Sequence, residues 1–273
     1  MTLTKKNKVI IYGLLIAFSI YFMAPFLWML VTAIKSPAEA NVYPPTFLPK
    51  VAQWKNFADS WGSQPFGKYL MNSLIVTVMT TIGQVISCSM IAFGFARYDF
   101  KFKNFLFMLL LASMMLPWDV TMIPLYMEFN ALNWINTLKP LIVPSFFGSA
   151  YFIFLLRQFL MNIPKDIENA AKIDGANDFQ IYYKIFLPIM RAPLFLISIL
   201  NILNVWNDYL GPLIFLQDRS KYTLALGLAS FKGLHNTNII PIMCITLLMI
   251  IPPIIAFVFA QKYIIEGMSG AVK

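Results

Sequence analysis

Long apolar runs alternate with short polar segments along the whole chain. A run of about 20 apolar residues can cross the roughly 30 Å hydrocarbon core of a bilayer as a single helix. Runs of that length, bounded by charged or turn-forming residues, are typical of membrane-spanning helices. The pattern therefore predicts six spans, near residues 9–33, 70–96, 105–127, 139–156, 192–216 and 239–260.

The fourth run is the most irregular of the six, because Pro140, Pro144 and Gly148 interrupt it. Proline removes a backbone donor from a helix. Membrane helices nevertheless tolerate such residues where neighbouring helices satisfy the freed backbone groups. We therefore keep the fourth run as a span.

The first run has some features of a cleaved secretory signal, since Lys5, Lys6 and Lys8 precede it and residues 38–40 read Ala-Glu-Ala. A signal has an apolar stretch of about 7–15 residues, whereas this run is about 25 residues long. Pro37 is also a poor flank for cleavage. We expect an uncleaved first helix.

Composition agrees with a membrane protein. Hydrophobic residues make up 59% of the 273-residue chain and charged residues 12%, which leaves too little polar surface for a soluble globule. No internal repeat or soluble domain is visible, so residues 1–273 are expected to form a single transmembrane domain. The predicted fold class is an all-α integral membrane protein with six transmembrane helices.

Charge bias predicts the orientation, because loops on the cytoplasmic side carry an excess of Lys and Arg. With a cytoplasmic amino terminus, both termini lie inside. The net charge of +9 is explained by this rule and by attraction to anionic membrane lipid, and no nucleic-acid motif appears. The segments predicted to lie inside hold most of the 21 basic residues, namely Lys5, Lys6, Lys8, Arg97, Lys101, Lys103, Arg157, Lys165, Lys172, Lys184, Arg191, Lys262 and Lys273.

Two loops are long enough to have structure of their own. The external loop, about 35–69, is rich in proline and contains two tryptophans, which favours an ordered, extended cap over a helix. The cytoplasmic loop, about 157–191, is polar and helix-forming.

The cytoplasmic loop contains a short polar helix at 163–176. Glu168 lies near its start, where the helix dipole favours negative charge. Ile167, Ala170 and Ala171 fall three and four residues apart and share a small face that would let another protein approach closely. The alternative is an ordinary loop lying on the membrane surface.

Local signals also predict where that helix ends. Gly175 is placed to stop the helix. Asn177, with Gln180 three residues later, has the pattern of a capping box that starts a second helix. The predicted unit is a helix, a turn and a helix.

Catalytic motifs are missing from the sequence. Residues 62–69 resemble a phosphate-binding loop, but Tyr69 replaces the required Ser or Thr, Pro65 lies inside the loop, and the segment is predicted to be external. The single histidine, His235, has no metal-ligand pattern around it. We expect no enzymatic activity and no cofactor or metal in this chain.

Polar residues in predicted spans are candidates for the substrate pathway, because ionisable groups at that depth usually face a cavity or a partner. An indole beside carboxamides and a carboxylate suits a sugar, whose ring face stacks while its hydroxyls need directional partners. The alternative is a structural hydrogen-bond network at the membrane interface. The candidates are Asp119, Asn204, Trp206, Asn207 and Asp208.

Small residues recur every fourth position on the second predicted helix, at Cys88, Ala92 and Ala96, with Gly94 beside them. Such faces allow helices to pack closely in lipid. The sequence leaves open whether the contact is internal or belongs to a partner subunit.

The cytoplasmic segment resembles the EAA loop of ATP-binding-cassette importer permeases, whose pattern is E-A-A, three residues, Gly, nine residues and Ile-x-Leu-Pro. The Glu of that pattern falls on Asn169, which leaves Glu168 as the nearest carboxylate. Matching positions are Ala170, Ala171, Gly175, Ile185, Leu187 and Pro188.

The resemblance extends nearly end to end and is to the carbohydrate-uptake permeases of the maltose-transporter MalG type. The motifs that carry it include residues 96–101, 115–117, 123–126, 156–159, 206–208, 222–224 and the tail 267–273.

That resemblance implies a type I importer permease fold and a set of partners. These are a second, MalF-like permease subunit, two subunits that bind ATP and Mg and hydrolyse ATP, and an extracytoplasmic sugar-binding protein. It implies that the ATPase is coupled through Glu168, Asn169, Ala170, Ala171, Asp174 and Gly175, and that the tail contacts it through Gly270, Ala271, Val272 and Lys273.

The sequence therefore predicts a multi-pass permease subunit of an ATP-driven importer for an oligosaccharide or polyol in a bacterial-type cytoplasmic membrane. The alternative is a secondary transporter driven by an ion gradient, with Asp119 or Asp208 as the ion site. Such carriers commonly have an inverted repeat and paired broken helices, which this sequence does not display.

Overall fold

The computed structural model describes residues 5–232 and 238–270, with side chains described over 7–232 and 238–261. His235 lies outside these ranges. Every regular element within them is helical. In chain order the α-helices are α1 Lys5–Ala33, α2 Pro37–Ala40, α3 Lys55–Gly62, α4 Phe66–Arg97, α5 Lys103–Ser113, α6 Trp118–Ala131, α7 Lys139–Ile142, α8 Ala150–Met161, α9 Asp166–Ile173, α10 Asp178–Gln180, α11 Leu187–Ile189, α12 Arg191–Trp206, α13 Leu210–Phe215, α14 Leu224–Ala229 and α15 Ile239–Gly270.

Three short segments have other helical geometries. Val143–Phe147 and Arg219–Lys221 are 3₁₀ turns, and Ile181–Phe186 is a π-helix between α10 and α11. π-helical turns are rare and often occur at functional sites.

The apolar spans agree with the prediction in number but not all in shape. Four helices of the described chain are long and apolar enough to cross a membrane, and the count reaches six if each of two bent helix pairs is one span. The four are Asn7–Ala33, Phe66–Arg97, Lys139–Met161 and Ile239–Gln261.

The third predicted span, 105–127, is not one straight helix. Its two halves, α5 and α6, are bent by 100° across a short break. Pro117 precedes α6 in an extended conformation. The helix breaks here because proline cannot donate a backbone hydrogen bond and disfavours helical geometry at the residue before it.

The fifth predicted span, 192–216, also differs from the structure. Its helix, α12, ends at Trp206, and Leu210–Phe215 forms the separate helix α13. The segment Asp178–Ile189 precedes α12 at an angle of 74°. A continuous helix through this region would contain Pro212, whose ring and missing N–H oppose it.

The fourth span is interrupted where the sequence places its prolines and glycine. α7 passes into the 3₁₀ turn, and Gly148 then adopts a φ of +86° before α8 begins. Glycine occupies this left-handed region without the steric cost that other residues have.

The loop predicted to be external, 35–69, contains helices, so the prediction of an extended cap there was wrong. Ser36 and Glu39 form a capping box at α2, and Lys55–Gly62 forms α3. Proline is well tolerated in a first helical turn, as Pro37 is here, and α3 contains no proline.

The chain divides into two compact units, one made of residues 1–66 and 228–251 and the other of 67–227 and 252–273. This division does not test the expectation of a single transmembrane domain, which stays a prediction. In the first unit, Ala33, Ile240 and Cys244 form a small buried cluster. The Asn56 amide donates to the carbonyls of Ala33 and Lys35 at 2.8 Å each, which ties α3 to the end of α1.

The second unit has the larger core, and the small-residue face of α4 lies within it. Cys88 and Ala92 are fully buried in the same cluster as Phe152 and Leu156 of α8. The Ser149 N–H donates to Cys88 Sγ at 3.2 Å. The close contact that the sequence left open is therefore internal for these residues.

A buried polar contact also joins α12 to α4. The Asn201 amide donates to the hydroxyls of Thr80 and Thr81 at 3.2 and 2.9 Å. Hydrogen bonds between membrane helices add specific attraction where apolar contact with lipid and with protein is nearly equivalent.

We expect Asn201→Ala to lower the free energy of unfolding by about 0.6–2 kcal/mol, the range found for single interhelical hydrogen bonds in membranes. Denaturant unfolding in micelles measures the change. Asn204→Ala is the matched control, because Asn204 lies on the same helix but is exposed. Equal unfolding midpoints for the two variants would contradict a stabilising role for Asn201.

Candidate functional site

The polar loop folds as the local signals predict. Helix α9 spans Asp166–Ile173, and Gly175 follows it with a φ of +81°. Asn177 and Gln180 then form a reciprocal capping box, with N–H to side-chain oxygen distances of 2.9 and 3.0 Å. The predicted helix stop and second helix start are both confirmed.

The two sides of α9 have different environments. Ala171 is 8% exposed and Glu168 7% exposed, because both face the core of the second unit. Asn169 and Ala170 are exposed, and Ile173 is 86% exposed. The sequence prediction that Ala171 belongs to the outward face was therefore wrong, and Ile173 is the residue that it missed.

Glu168 has its partner within the same helix. Lys172 Nζ donates to Glu168 Oε1 at 2.8 Å, an i to i+4 ion pair in the favourable order. This hydrogen bond raises the pKa of Lys172 above its ordinary value. The nearest carboxylate to the Glu position of the motif is thus turned inward, whereas Asn169, Asp174 and Gly175 are exposed.

Arg97, at the last turn of α4, holds the beginning of this loop. Its Nη2 donates to the backbone carbonyls of Leu160 and Ile163 at 2.7 and 3.0 Å. Its guanidinium carbon lies 4.5 Å from the centroid of the Phe186 ring in the π-helix. One side chain therefore contacts the chain on both sides of α9.

Aromatic contacts also join α4 to the π-helix. The Phe93 ring lies 5.4 Å from the ring of Tyr182 and 5.0 Å from that of Phe186, centroid to centroid. The hydroxyls of Ser89 and Tyr182 are hydrogen-bonded at 2.8 Å.

Tyr98 adds a polar contact beyond the end of α4. Burial raises the pKa of Tyr98 to about 12, and the charge of Asp178 and a hydrogen bond with its side chain add to this effect. The Tyr98 hydroxyl therefore stays neutral at physiological pH, and it links α4 to the first residue of α10.

The substrate-pathway candidates do not form one cluster. Trp206 is 4% exposed and lines an apolar crevice with Thr77, Pro252 and Ala256. Asn204 is exposed on α12 and Asp119 is exposed on α6. The buried indole thus lines a different pocket from Asn207 and Asp208, which follow it in the sequence.

Asn207 and Asp208 instead line a cleft of about 410 Å³ together with Trp118, Tyr209 and Leu210. Trp118 and Tyr209 are aromatic residues that the sequence analysis did not select, although each is adjacent in sequence to a selected carboxylate. The cleft combines an indole, a phenol, a carboxamide and a carboxylate, which is the combination expected of a sugar site.

Asp208 also has a structural role. Its Oδ1 accepts from the Gly211 N–H at 3.1 Å at the start of α13. A Cβ on residue 211 would lie 2.5 Å from Asp208 Oδ2, so a larger residue there would displace the carboxylate. One oxygen thus supports the turn while the carboxylate lines the cleft.

The described residues contain no candidate metal centre and only the first residue of the predicted tail contact. Among the residues described, no group of three or more His, Cys, Asp or Glu side chains could hold a metal ion. Gly270 is the last described residue, and Ala271, Val272 and Lys273 lie outside the described ranges.

The fold is that of an ABC importer permease. A bacterial ABC transporter involved in the import of the acidic polysaccharide alginate has a chain that superposes with a TM-score of 0.82 at 21% identity, over 96% of this chain and 99% of that chain. At this identity the similarity establishes the architecture alone.

The sequence comparisons establish the family. Residues 86–270 match the model for the binding-protein-dependent transport system inner membrane component. A probable ABC transporter permease protein of Pyrococcus horikoshii is 37% identical over 94% of this chain and 95% of its own. The arabinooligosaccharides transport system permease protein AraQ of Bacillus subtilis is 36% identical over 82% of this chain and 80% of its own.

This chain belongs to the binding-protein-dependent transport system inner membrane component family. It is a multi-pass membrane permease subunit of an ABC importer that works with other subunits, and it is not itself an enzyme.

Proposed function

We propose that this chain forms half of the translocation pathway of an ATP-driven carbohydrate importer. Its family and its similarity to a permease for arabinooligosaccharides support this function. The expected substrate class is an oligosaccharide or a related polyol. Nothing observed favours the alternative of a carrier driven by an ion gradient.

The proposed partners follow from the same resemblance to carbohydrate importer permeases. A second, MalF-like permease subunit supplies the other half of the pathway, two ATPase subunits bind ATP and Mg, and an extracytoplasmic protein delivers the sugar. Both termini are cytoplasmic, and the tail residues Gly270 to Lys273 approach the ATPase.

The outward side of α9 is the observation that carries the proposal. Asn169, Ala170 and Ile173 lie three and four residues apart, so they share one exposed face. A largely exposed isoleucine beside a small alanine suits a protein groove better than water, since exposing a large apolar side chain to water is unfavourable.

The mechanism follows from a rigid α9. ATP-driven closure of the ATPase subunits displaces α9 and reopens the pathway toward the sugar-binding protein. The inward-open and outward-open states of the permease are selected by their different contacts with the ATPase subunits.

Ala170→Arg tests the docking face, because an unpaired charge pressed into a protein groove costs on the order of several kcal/mol. We expect the purified complex to lose its ATPase subunit or to hydrolyse ATP without sugar uptake. Ala170→Ser and Ala58→Arg are the controls, the second placing the same charge on exposed α3. Normal uptake and stimulated hydrolysis in Ala170→Arg would remove the docking assignment.

Cysteine labelling tests the orientation. Lys50→Cys is expected to react with an impermeant thiol reagent on intact cells, and Lys165→Cys only after permeabilisation, as the charge bias predicts. Both positions are exposed, and the native Cys88 and Cys244 are fully buried, so background labelling is low. Reaction of both positions from outside would contradict the proposed orientation.

Asp208→Asn tests whether the cleft binds sugar. The asparagine carbonyl can still accept from Gly211, so the turn is retained while the charge is removed. We expect the apparent affinity for sugar to fall roughly 5- to 150-fold, the equivalent of one charge-assisted hydrogen bond. Uptake against sugar concentration measures it.

Three further variants make that test specific. Trp118→Ala, which removes the indole of the same cleft, is expected to weaken affinity similarly. Trp206→Ala should lower the melting temperature of the complex and leave its sugar affinity unchanged. Asp119→Asn should change neither the melting temperature nor the affinity. Unchanged affinity and rate in an intact Asp208→Asn complex would end the proposal for this cleft.

A further inference from the structure

Arg97 is an unusual residue for the end of a membrane-spanning helix, because its side chain is turned into the protein and is 8% exposed. A basic residue at such a helix end normally extends its charge into water. Here its Nη2 donates to two backbone carbonyls, of Leu160 and Ile163, and the guanidinium lies on the face of Phe186, while its buried Nε has no hydrogen-bond partner among the described residues.

The two carbonyls belong to the segment that leads from α8 into α9. Carbonyls at a helix end lack their i+4 partners. Leu160 lies in the last turn of α8, and its carbonyl accepts from the Ile163 N–H at 3.1 Å as well as from Arg97. A planar guanidinium can donate several hydrogen bonds in fixed directions while its face stacks on an aromatic ring, which an ammonium group cannot do. The contacts of Arg97 use both properties at once.

Phe186 ends the π-helix on the other side of α9. Arg97 therefore joins the chain before α9 to the chain after it and fastens both to α4. Ser89 and Phe93 of α4, and Tyr98 just after it, add contacts to the chain that follows α9. From Ser89 to Arg97 the attachment runs about 12 Å along α4, so the loop cannot pivot on a single point.

We propose that Arg97 is a positioning residue that locks the loop bearing α9 to the second span, so that a displacement of α9 moves α4 with it. The proposal rests on the function proposed above, in which α9 receives the movement of an ATPase subunit. Without Arg97, the remaining contacts would transmit the movement of α9 to α4 less completely, and less sugar would be transported per ATP hydrolysed.

Arg157 provides a matched control within the same unit. Its guanidinium carbon lies 4.1 Å from the Phe107 ring centroid, and its Nε donates to the Phe95 carbonyl at 3.4 Å. It thus has the same chemistry as Arg97 but holds α8 against α4 and α5. None of its described contacts is with α9 or the π-helix.

The test compares Arg97→Met with Arg157→Met in the complete complex in lipid nanodiscs. We expect both to lower the melting temperature. Only Arg97→Met should lower the sugar transported per ATP hydrolysed, by roughly 2- to 30-fold, the size of effect that single residues along a coupled network produce. Arg97→Lys, which keeps the charge but not the planar geometry, should fall between Arg97→Met and the unaltered protein.

Hydrogen exchange gives a readout that does not depend on the ATPase. Amides of residues 163–176 should exchange roughly 5- to 150-fold faster in Arg97→Met, as expected for the loss of charge-assisted hydrogen bonds, and remain unchanged in Arg157→Met. Phe186→Leu, which keeps the carbonyl contacts and removes the ring, replaces Arg97→Met if that variant does not assemble, with the same expectations.

The outcomes separate this proposal from the one on which it rests. If α9 does not dock the ATPase, Ala170→Arg will transport normally. If α9 docks but Arg97 is not the lock, Ala170→Arg will be uncoupled while Arg97→Met keeps its normal transport per ATP and its normal exchange. That second result, or an equal loss of coupling in Arg157→Met, would overturn the proposal.

Discussion

A chain in hydrocarbon must satisfy nearly all its backbone donors and acceptors by itself, and the structure is organised around that constraint. Long helices satisfy it locally, whereas each break requires a particular side chain. At the break in the fourth span, Cys88 Sγ accepts from the Ser149 N–H. At the end of α8, Arg97 donates to the carbonyls of Leu160 and Ile163. Cys88 and Arg97 thus form hydrogen bonds with backbone groups and also connect one span to another.

The same constraint explains why the short helix α9 is held firmly in place. A helix of eight residues is too short to be stable by itself in water. Here it is held by burial of Ala171 and Glu168, by the capping residues that follow it, and by the contacts of α4 on either side. Its exposed face is therefore presented in a fixed orientation, as docking to a moving partner requires.

The polar cleft around Asp208 shows how one residue can serve two purposes. The carboxylate accepts from the backbone where α12 gives way to α13, and it also lines the cleft with Trp118 and Asn207. A turn that is needed to reverse the chain thus places a polar group beside aromatic rings. The turn and the proposed sugar contact share this carboxylate, so only a substitution that preserves the acceptor can distinguish them.

The sequence by itself determined the features that depend on neighbouring residues. The number of apolar spans, the stop at Gly175 and the capping box at Asn177 follow from local hydrophobicity, backbone freedom and side-chain caps, which act within a few residues. The family resemblance, too, rests on linear motifs, in this loop and elsewhere along the chain. Only the tertiary structure decided which side of α9 is outward, that Trp206 and Asp208 lie in different environments, and that Arg97 is turned inward. Those properties depend on which distant segment covers each side chain, and helical periodicity identifies a face without identifying what packs against it.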